Sequence, residues 1–210
     1  MVVKESNYGQ YKADIFNKLN YDFIKGKKLL DVGCGDCTDA EIFINEYGLD
    51  TYGIDVYEHE NAKKILGQRF VKTEKGIFEI PFNKTTFDYV FLHDVLHHID
   101  EESQSYGNHI SGLKELKRVI RPNGVIIIVE GNRYNPLFYP HMVKHLGHEH
   151  FVQSYFHKII NNVFDNVEFK YFESHFYPPS QLKFWKIYEK FMETFAPRSL
   201  LAYNVALITV

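Results

Sequence analysis

A chain of 210 residues with 45% apolar and 24% charged residues has the balance of an ordinary globular protein and room for one well-buried core. Its formal charge of −3 supplies no global field toward nucleic acid or acidic lipid, and no stretch reaches the roughly 20 apolar residues of a membrane span. The N-terminal MVVKESNYGQYK lacks the apolar run of a secretory signal, and two cysteines three positions apart make no disulfide framework, so a cytoplasmic protein is expected.

In chain order, Tyr11, Ile15, Leu19 and Phe23 recur every four residues and predict an amphipathic helix over 10–25. Residues 28–32 form a short apolar run cut off by Gly33 and Gly35, which reads as a buried strand entering a tight turn. Thr38 with Glu41 gives a capping-box signal for a helix over 39–47, ended by Gly48. Strands are expected over 50–55, 69–73 and 87–92, with a short helix over 58–66. A helix over 112–119 is followed by a Pro122-Asn123-Gly124 turn and a β-branched strand over 125–129. Beyond it the pattern gives a helix over 151–160, a strand over 163–176, a helix over 181–195 and a last strand from 200. Strands alternating with helices imply βαβ units and a parallel sheet covered on both faces. With no repeat, linker or low-complexity tract, residues 1–210 read as a single domain.

Parallel sheets bind ligands beyond the carboxyl ends of their strands. The first strand ends in LLDVGCGDC, where Gly33 and Gly35 let the backbone approach a ligand closely. The second ends at Asp55, 24 residues after Asp31, the spacing at which a carboxylate reaches both hydroxyls of a ribose. A dinucleotide site asks for a third small residue where this chain has Thr38. Asp31 and Asp36 would repel a pyrophosphate yet suit a cofactor with an ammonium and a sulfonium. The only Tyr-x-x-x-Lys pairs, Tyr8/Lys12 and Tyr21/Lys25, precede the first strand, which further weakens a dehydrogenase reading.

These segments, with IPFNKTTFDYVFLHDVLHHI at 80–99 and LKELKRVIRPNGVIIIVE at 113–130, resemble in order the signature segments of class I S-adenosylmethionine-dependent methyltransferases. The resemblance spans about Lys28 to Glu130. It implies a doubly wound, Rossmann-like, mostly parallel seven-stranded α/β sheet with helices on both faces and an antiparallel last strand. Residues of about 28–130 would then form the cofactor half and about 131–195 the substrate side. It implies S-adenosyl-L-methionine as cofactor, with Gly33 and Gly35 along its methionine and ribose and Asp31 drawing its ammonium. Asp55 would take the ribose hydroxyls, Val56 would pack on the adenine, and the backbone around His93 and Asp94 would face the methionine end. Close relatives often place an acid at the position of Gly76, so the adenine contact passes to Ile77 and Phe78.

Other residues keep more than one reading. Cys34-x-x-Cys37 reads as a redox pair or as part of the glycine turn. His141, His145, His148 and His150 suggest a metal set, but Pro140 and Gly147 interrupt the helix that would align them, so rim histidines and no metal are expected. His97, His145 and His148 are candidate bases for an acceptor that must lose a proton. Asn132 and Tyr134, just past the fifth strand, are candidate substrate contacts. Eighteen Phe and 15 Tyr, dense after residue 130, suit a core or a pocket for an apolar or aromatic small molecule. The expectation is methyl transfer to such an acceptor, without nucleic-acid or membrane partners and with the oligomeric state open. A non-catalytic S-adenosylmethionine-binding module and an NAD-type enzyme are the alternatives.

Overall fold

The computed structural model describes residues 7–100, 103, 105–147 and 149–210. Helix α1 (Asn7–Leu19) precedes strand β1 (Lys28–Val32), and α2 (Thr38–Asn45) leads to β2 (Asp50–Asp55). Then follow α3 (Glu60–Ile65), β3 (Phe70–Lys72), β4 (Phe87–His93), α4 (Tyr106–Val119) and β5 (Ile120–Gly131). A π-helical segment (Tyr139–His145), α5 (Gln153–Val163), β6 (Val167–Phe172), α6 (Leu182–Phe195) and β7 (Tyr203–Thr209) complete the chain. The seven strands form one sheet in the order β3-β2-β1-β4-β5-β7-β6. β1 to β5 pair in parallel, and β7 runs antiparallel to both β5 and β6. The doubly wound, mostly parallel expectation therefore holds, with the reversal at the last strand.

Strand alternation divides the core. Leu30, Val90, Leu92, Ile126 and Ile128 point to one face, against Leu113 and Leu116 of α4 and Phe156 and Ile160 of α5. Leu29, Tyr89, Phe91, Ile127 and Val129 point to the other, against Ile15, Phe16 and Leu19 of α1 and Phe43 of α2. Strand order reverses between β1 and β4, so the crevice for a ligand opens at the ends of β1, β2 and β4.

Several expected boundaries move for local reasons. Helix α1 stops at Leu19 because Asn20 turns left-handed (φ 47°) and donates its N–H to Phe16 O at 3.2 Å. The capping box at Thr38 does not form. Asp36 instead accepts from the Thr38 N–H at 3.0 Å and its hydroxyl at 2.9 Å, while Cys37 is left-handed at φ 64°. The Pro122-Asn123-Gly124 turn lies inside β5 as an irregularity: Phe87 pairs with Ile120, but Tyr89 pairs with Val125.

Candidate active site

The turn after β1 is fixed by backbone. The N–H groups of Gly33 and Cys34 both donate to Ile54 O, at 2.8 and 3.1 Å, tying the turn to β2. Gly33 has φ +72°, and a Cβ there would lie 2.6 Å from Val95 Cγ2, so glycine is required on both counts. Asp55, at the end of β2, accepts from the Gly35 N–H at 2.8 Å and the Tyr57 N–H at 2.9 Å. Each oxygen keeps a lone pair, so the carboxylate is oriented without being used up.

A cavity of about 850 Å³ opens there, within the roughly 300–1,000 Å³ of small-ligand sites. Its wall brings together Gly33, Asp55, Val56, Ile77, Phe78 and Asp94, all of them expected from the sequence. Gly76 sits in the same wall as part of a one-turn 3₁₀ helix, Gly76–Phe78. So does Glu74, a carboxylate two positions before the Gly76 position at which the resemblance places an acid.

Behind the turn lies a buried polar group missed in the sequence because its members are far apart. Lys12 Nζ of α1 donates to Asp39 Oδ2 of α2 at 2.9 Å, and His93 Nδ1 of β4 lies 2.8 Å from Lys12 Nζ and 2.9 Å from Asp39 Oδ2. Burial alone would raise the Asp39 carboxyl, but Lys12 and His93 outweigh it and hold the group well below the usual carboxylate range. Asp31 is the reverse case. Burial, reinforced by the negative charge of Asp39, pushes its carboxyl well above the ordinary value. Asp31 Oδ2 and Asp39 Oδ1 are both buried and carry no hydrogen bond. Orphaned acceptors of this kind are costly unless a cation meets them, and the ammonium of an amino-acid moiety would do so. The donor set thus fits a cofactor with a ribose at Asp55 and an amino-acid end near Asp31.

At the end of β4, Asp94 is left-handed (φ 55°). Its Oδ1 accepts from the Gly131 N–H at 2.9 Å, and the Tyr203 hydroxyl donates to its Oδ2 at 3.3 Å. Tyr203 in turn bonds Tyr11, whose ring packs edge-on to the exposed Phe176 and tilted against Tyr8. Burial opposes ionisation of Asp94, yet His93, His97 and His150 hold its carboxyl below the ordinary value.

Glu130, fully buried at the end of β5, accepts from the Val95 N–H at 2.9 Å and the Leu96 N–H at 2.6 Å, and its Oε2 lies 2.7 Å from His97 Nδ1. It therefore fixes the backbone after β4 and the orientation of the His97 ring together.

The remaining expected residues are not brought to this point. Asn132 is buried and donates through Nδ2 to Ser199 O at 2.7 Å and Leu201 O at 2.9 Å, so both donor hydrogens pin the chain and none is left for a substrate. Tyr134 is exposed beside Tyr139. His145 is exposed and stacks on His141 with ring centroids 6.1 Å apart, while His148 lies outside the described residues. His150 leaves that group and packs on His97, at 4.5 Å between centroids. Cys37 Sγ donates a weak hydrogen bond to Cys34 Sγ at 3.7 Å, and the two free thiols are buried with Ala40, Ala62 and Leu66.

Comparisons with known proteins converge on this site. A family model described as "Methyltransferase domain" matches residues 30–128. The chain is 28% identical over 137 residues to a demethylmenaquinone methyltransferase of Geobacillus stearothermophilus, covering 61% of this chain and 55% of that protein. It is 31% identical over 117 residues to the enzyme of that name from Bacillus cytotoxicus, covering 52% and 46%. The chain thus spans about half the length of these curated relatives. Its fold matches a SAM-dependent methyltransferase from Archaeoglobus fulgidus with a TM-score of 0.67 at 18% identity, covering 97% of this chain and 94% of the other. A second such structure, from Aquifex aeolicus, has a TM-score of 0.60 at 18% identity and covers 95% and 89%.

Proposed function

We propose that this chain, whose residues 30–128 match a methyltransferase-domain family model, is a class I S-adenosylmethionine-dependent methyltransferase that transfers a methyl group from S-adenosylmethionine to a small apolar or aromatic acceptor. The observation that carries this reading is Gly33 and Asp55 in the wall of an open cavity, with the orphaned buried carboxylate oxygens of Asp31 and Asp39 flanking the same glycine turn. A dinucleotide would bring a pyrophosphate toward the Asp55 carboxylate and these unbonded acceptor oxygens, which would repel it.

When bound, the sulfonium supplies an activated methyl group that an acceptor can displace in line. The residues then have four tasks. Asp55 orients the ribose, and Val56, Ile77 and Phe78 exclude water from the adenine, with Glu74 near enough to the same wall to meet its amine. Asp31 meets the ammonium. The backbone at His93 and Asp94 sets the methionine end. The positive charge disperses as the methyl group moves, so alignment and water exclusion do most of the work; in favourable cases alignment is worth about 7–11 kcal/mol.

For an acceptor hydroxyl or carbon acid a proton must also leave. Of the three candidate histidines His97 is the one held beside Asp94, and Glu130 fixes its ring, so His97 is the group on which that step depends. Tyr8, Tyr11 and Phe176, joined through Tyr203 to Asp94, supply aromatic surface that suits an apolar acceptor. The relatives named for demethylmenaquinone favour a ring-bearing acceptor. The formal charge of −3 supports a small-molecule rather than a nucleic-acid partner. Incubation with methyl-labelled S-adenosylmethionine and a cell extract should label a small, solvent-extractable product. Cofactor binding with no labelled product in any fraction would leave a non-catalytic binding module instead.

A further inference from the structure

The cavity does not account for one cluster beside it. Among the described residues Asp94, His97 and His150 each offer a ligand atom, and these atoms all lie within 4.8 Å of one another. His97 and His150 are buried and Asp94 is half-buried. We infer that Asp94, His97 and His150 form a binding site for a divalent transition-metal ion of the zinc class, at the edge of the cofactor cavity.

Three features of the surroundings support it. Glu130 Oε2 lies 2.7 Å from His97 Nδ1, so it is Nε2 of that ring that would ligate. A carboxylate behind a ligating imidazole is the usual means of fixing its tautomer and raising its basicity. Gly131 makes room for the second imidazole, since a Cβ there would lie 2.6 Å from His150 Nδ1. The Gly131 N–H also holds Asp94 Oδ1 at 2.9 Å. The three ligands therefore come from the end of β4, the turn after it and the segment after the π-helix, converging on the end of β5.

The donor set selects the ion. Two imidazoles and one carboxylate suit zinc or cobalt, whereas magnesium prefers all-oxygen shells. Ligands about 2.1 Å from one ion sit roughly 3.4 Å apart, so closure asks for side-chain rotation and not for movement of strands. Three protein ligands leave a fourth position open, and Asp94 also lines the cofactor cavity. Resting on the methyltransferase reading, an acceptor oxygen would take that position; with His97 then a ligand and not a base, the ion would lower the acceptor's pKa so that its proton passes to solvent water before the methyl group is transferred.

The test is titration of chelator-stripped protein with Co²⁺, read by visible absorption and by metal content after gel filtration. One Co²⁺ per chain with a visible d–d band is expected. His150→Ala should abolish the band while leaving the far-ultraviolet circular dichroism and S-adenosylhomocysteine binding intact. Glu130→Gln should weaken Co²⁺ roughly 10–100-fold. The double variant His141→Ala/His145→Ala removes the exposed stacked pair and should change nothing. A band lost in that double variant, or kept in both His97→Ala and His150→Ala, would overturn the site. So would the absence of any band from a folded protein that binds S-adenosylhomocysteine. Failure of S-adenosylhomocysteine binding with Co²⁺ uptake preserved would count against the methyltransferase reading alone.

Discussion

Between β1 and β4 the ligand-facing groups are held by their neighbours in sequence and by backbone. Gly33, Gly35 and Asp55 are locked by N–H groups at the ends of adjacent parallel strands. Across residues 131–203 the reverse is true: Asn132 reaches Leu201, Glu173 takes Asn135 Nδ2 at 3.0 Å, and Tyr203 reaches Asp94. The first region is a rigid frame whose chemistry hardly depends on the rest. The second is a set of long-range side-chain ties laid over that frame, and its role depends on how the chain closes. A cofactor shared by many enzymes suits the first construction, and an acceptor particular to one suits the second.

Glu130 joins the two regions, so its loss should be the largest effect. Glu130→Ala removes the acceptor of two buried N–H groups and the partner of His97. Denaturant unfolding should show a loss of about 3–5 kcal/mol. A loss under 1 kcal/mol would mean that the regions are not coupled there.

Next comes Gly33→Ala, which strains a positive-φ position against Val95 and should cost about 1–3 kcal/mol together with most of the cofactor affinity. Unchanged S-adenosylhomocysteine binding would show that the turn is looser than the frame described.

Asp31 gives a pH effect whose sign follows from its raised pKa. Its carboxyl is pushed up in the free protein, and a bound ammonium favours the ionised form. Cofactor binding should therefore release protons, and affinity should weaken as pH falls below the raised pKa of the free protein. Calorimetry in buffers of different ionisation enthalpy reads the release, and Asp31→Asn should abolish it. Proton uptake on binding would contradict the assignment.

The smallest effect belongs to the second region's exposed ring. Tyr134→Ala should change stability by no more than about 0.5 kcal/mol and leave KM for the acceptor unchanged. A clear rise in KM would return Tyr134 to the acceptor site.

The same contrast explains what the sequence disclosed. The glycine turn, Asp55 and the fourth-strand end were legible because a strand followed by glycines, with an acid at fixed spacing, is a local pattern. The parallel sheet was legible from alternating apolar runs. Lys12, Asp39 and Glu130 were not, because their value comes from partners 27, 54 or 33 positions away. The histidine run was legible only in part: His141 and His145 are exposed, as the interruptions at Pro140 and Gly147 imply, but spacing does not disclose that folding separates His150 from them and sets it against His97. Asn132 lies at a strand end that points to the crevice, yet its amide is spent on the chain itself.

The account rests on Asp55 and the glycine turn as the seat of S-adenosylmethionine, and calorimetric titration with S-adenosylhomocysteine and, separately, NAD tests it most directly. It predicts binding of the former alone, weakened in Asp55→Asn by about 1.5–3 kcal/mol, the value of a charged hydrogen bond. Binding of NAD in its place, or an Asp55→Asn variant that binds S-adenosylhomocysteine as tightly as the parent protein, would contradict it.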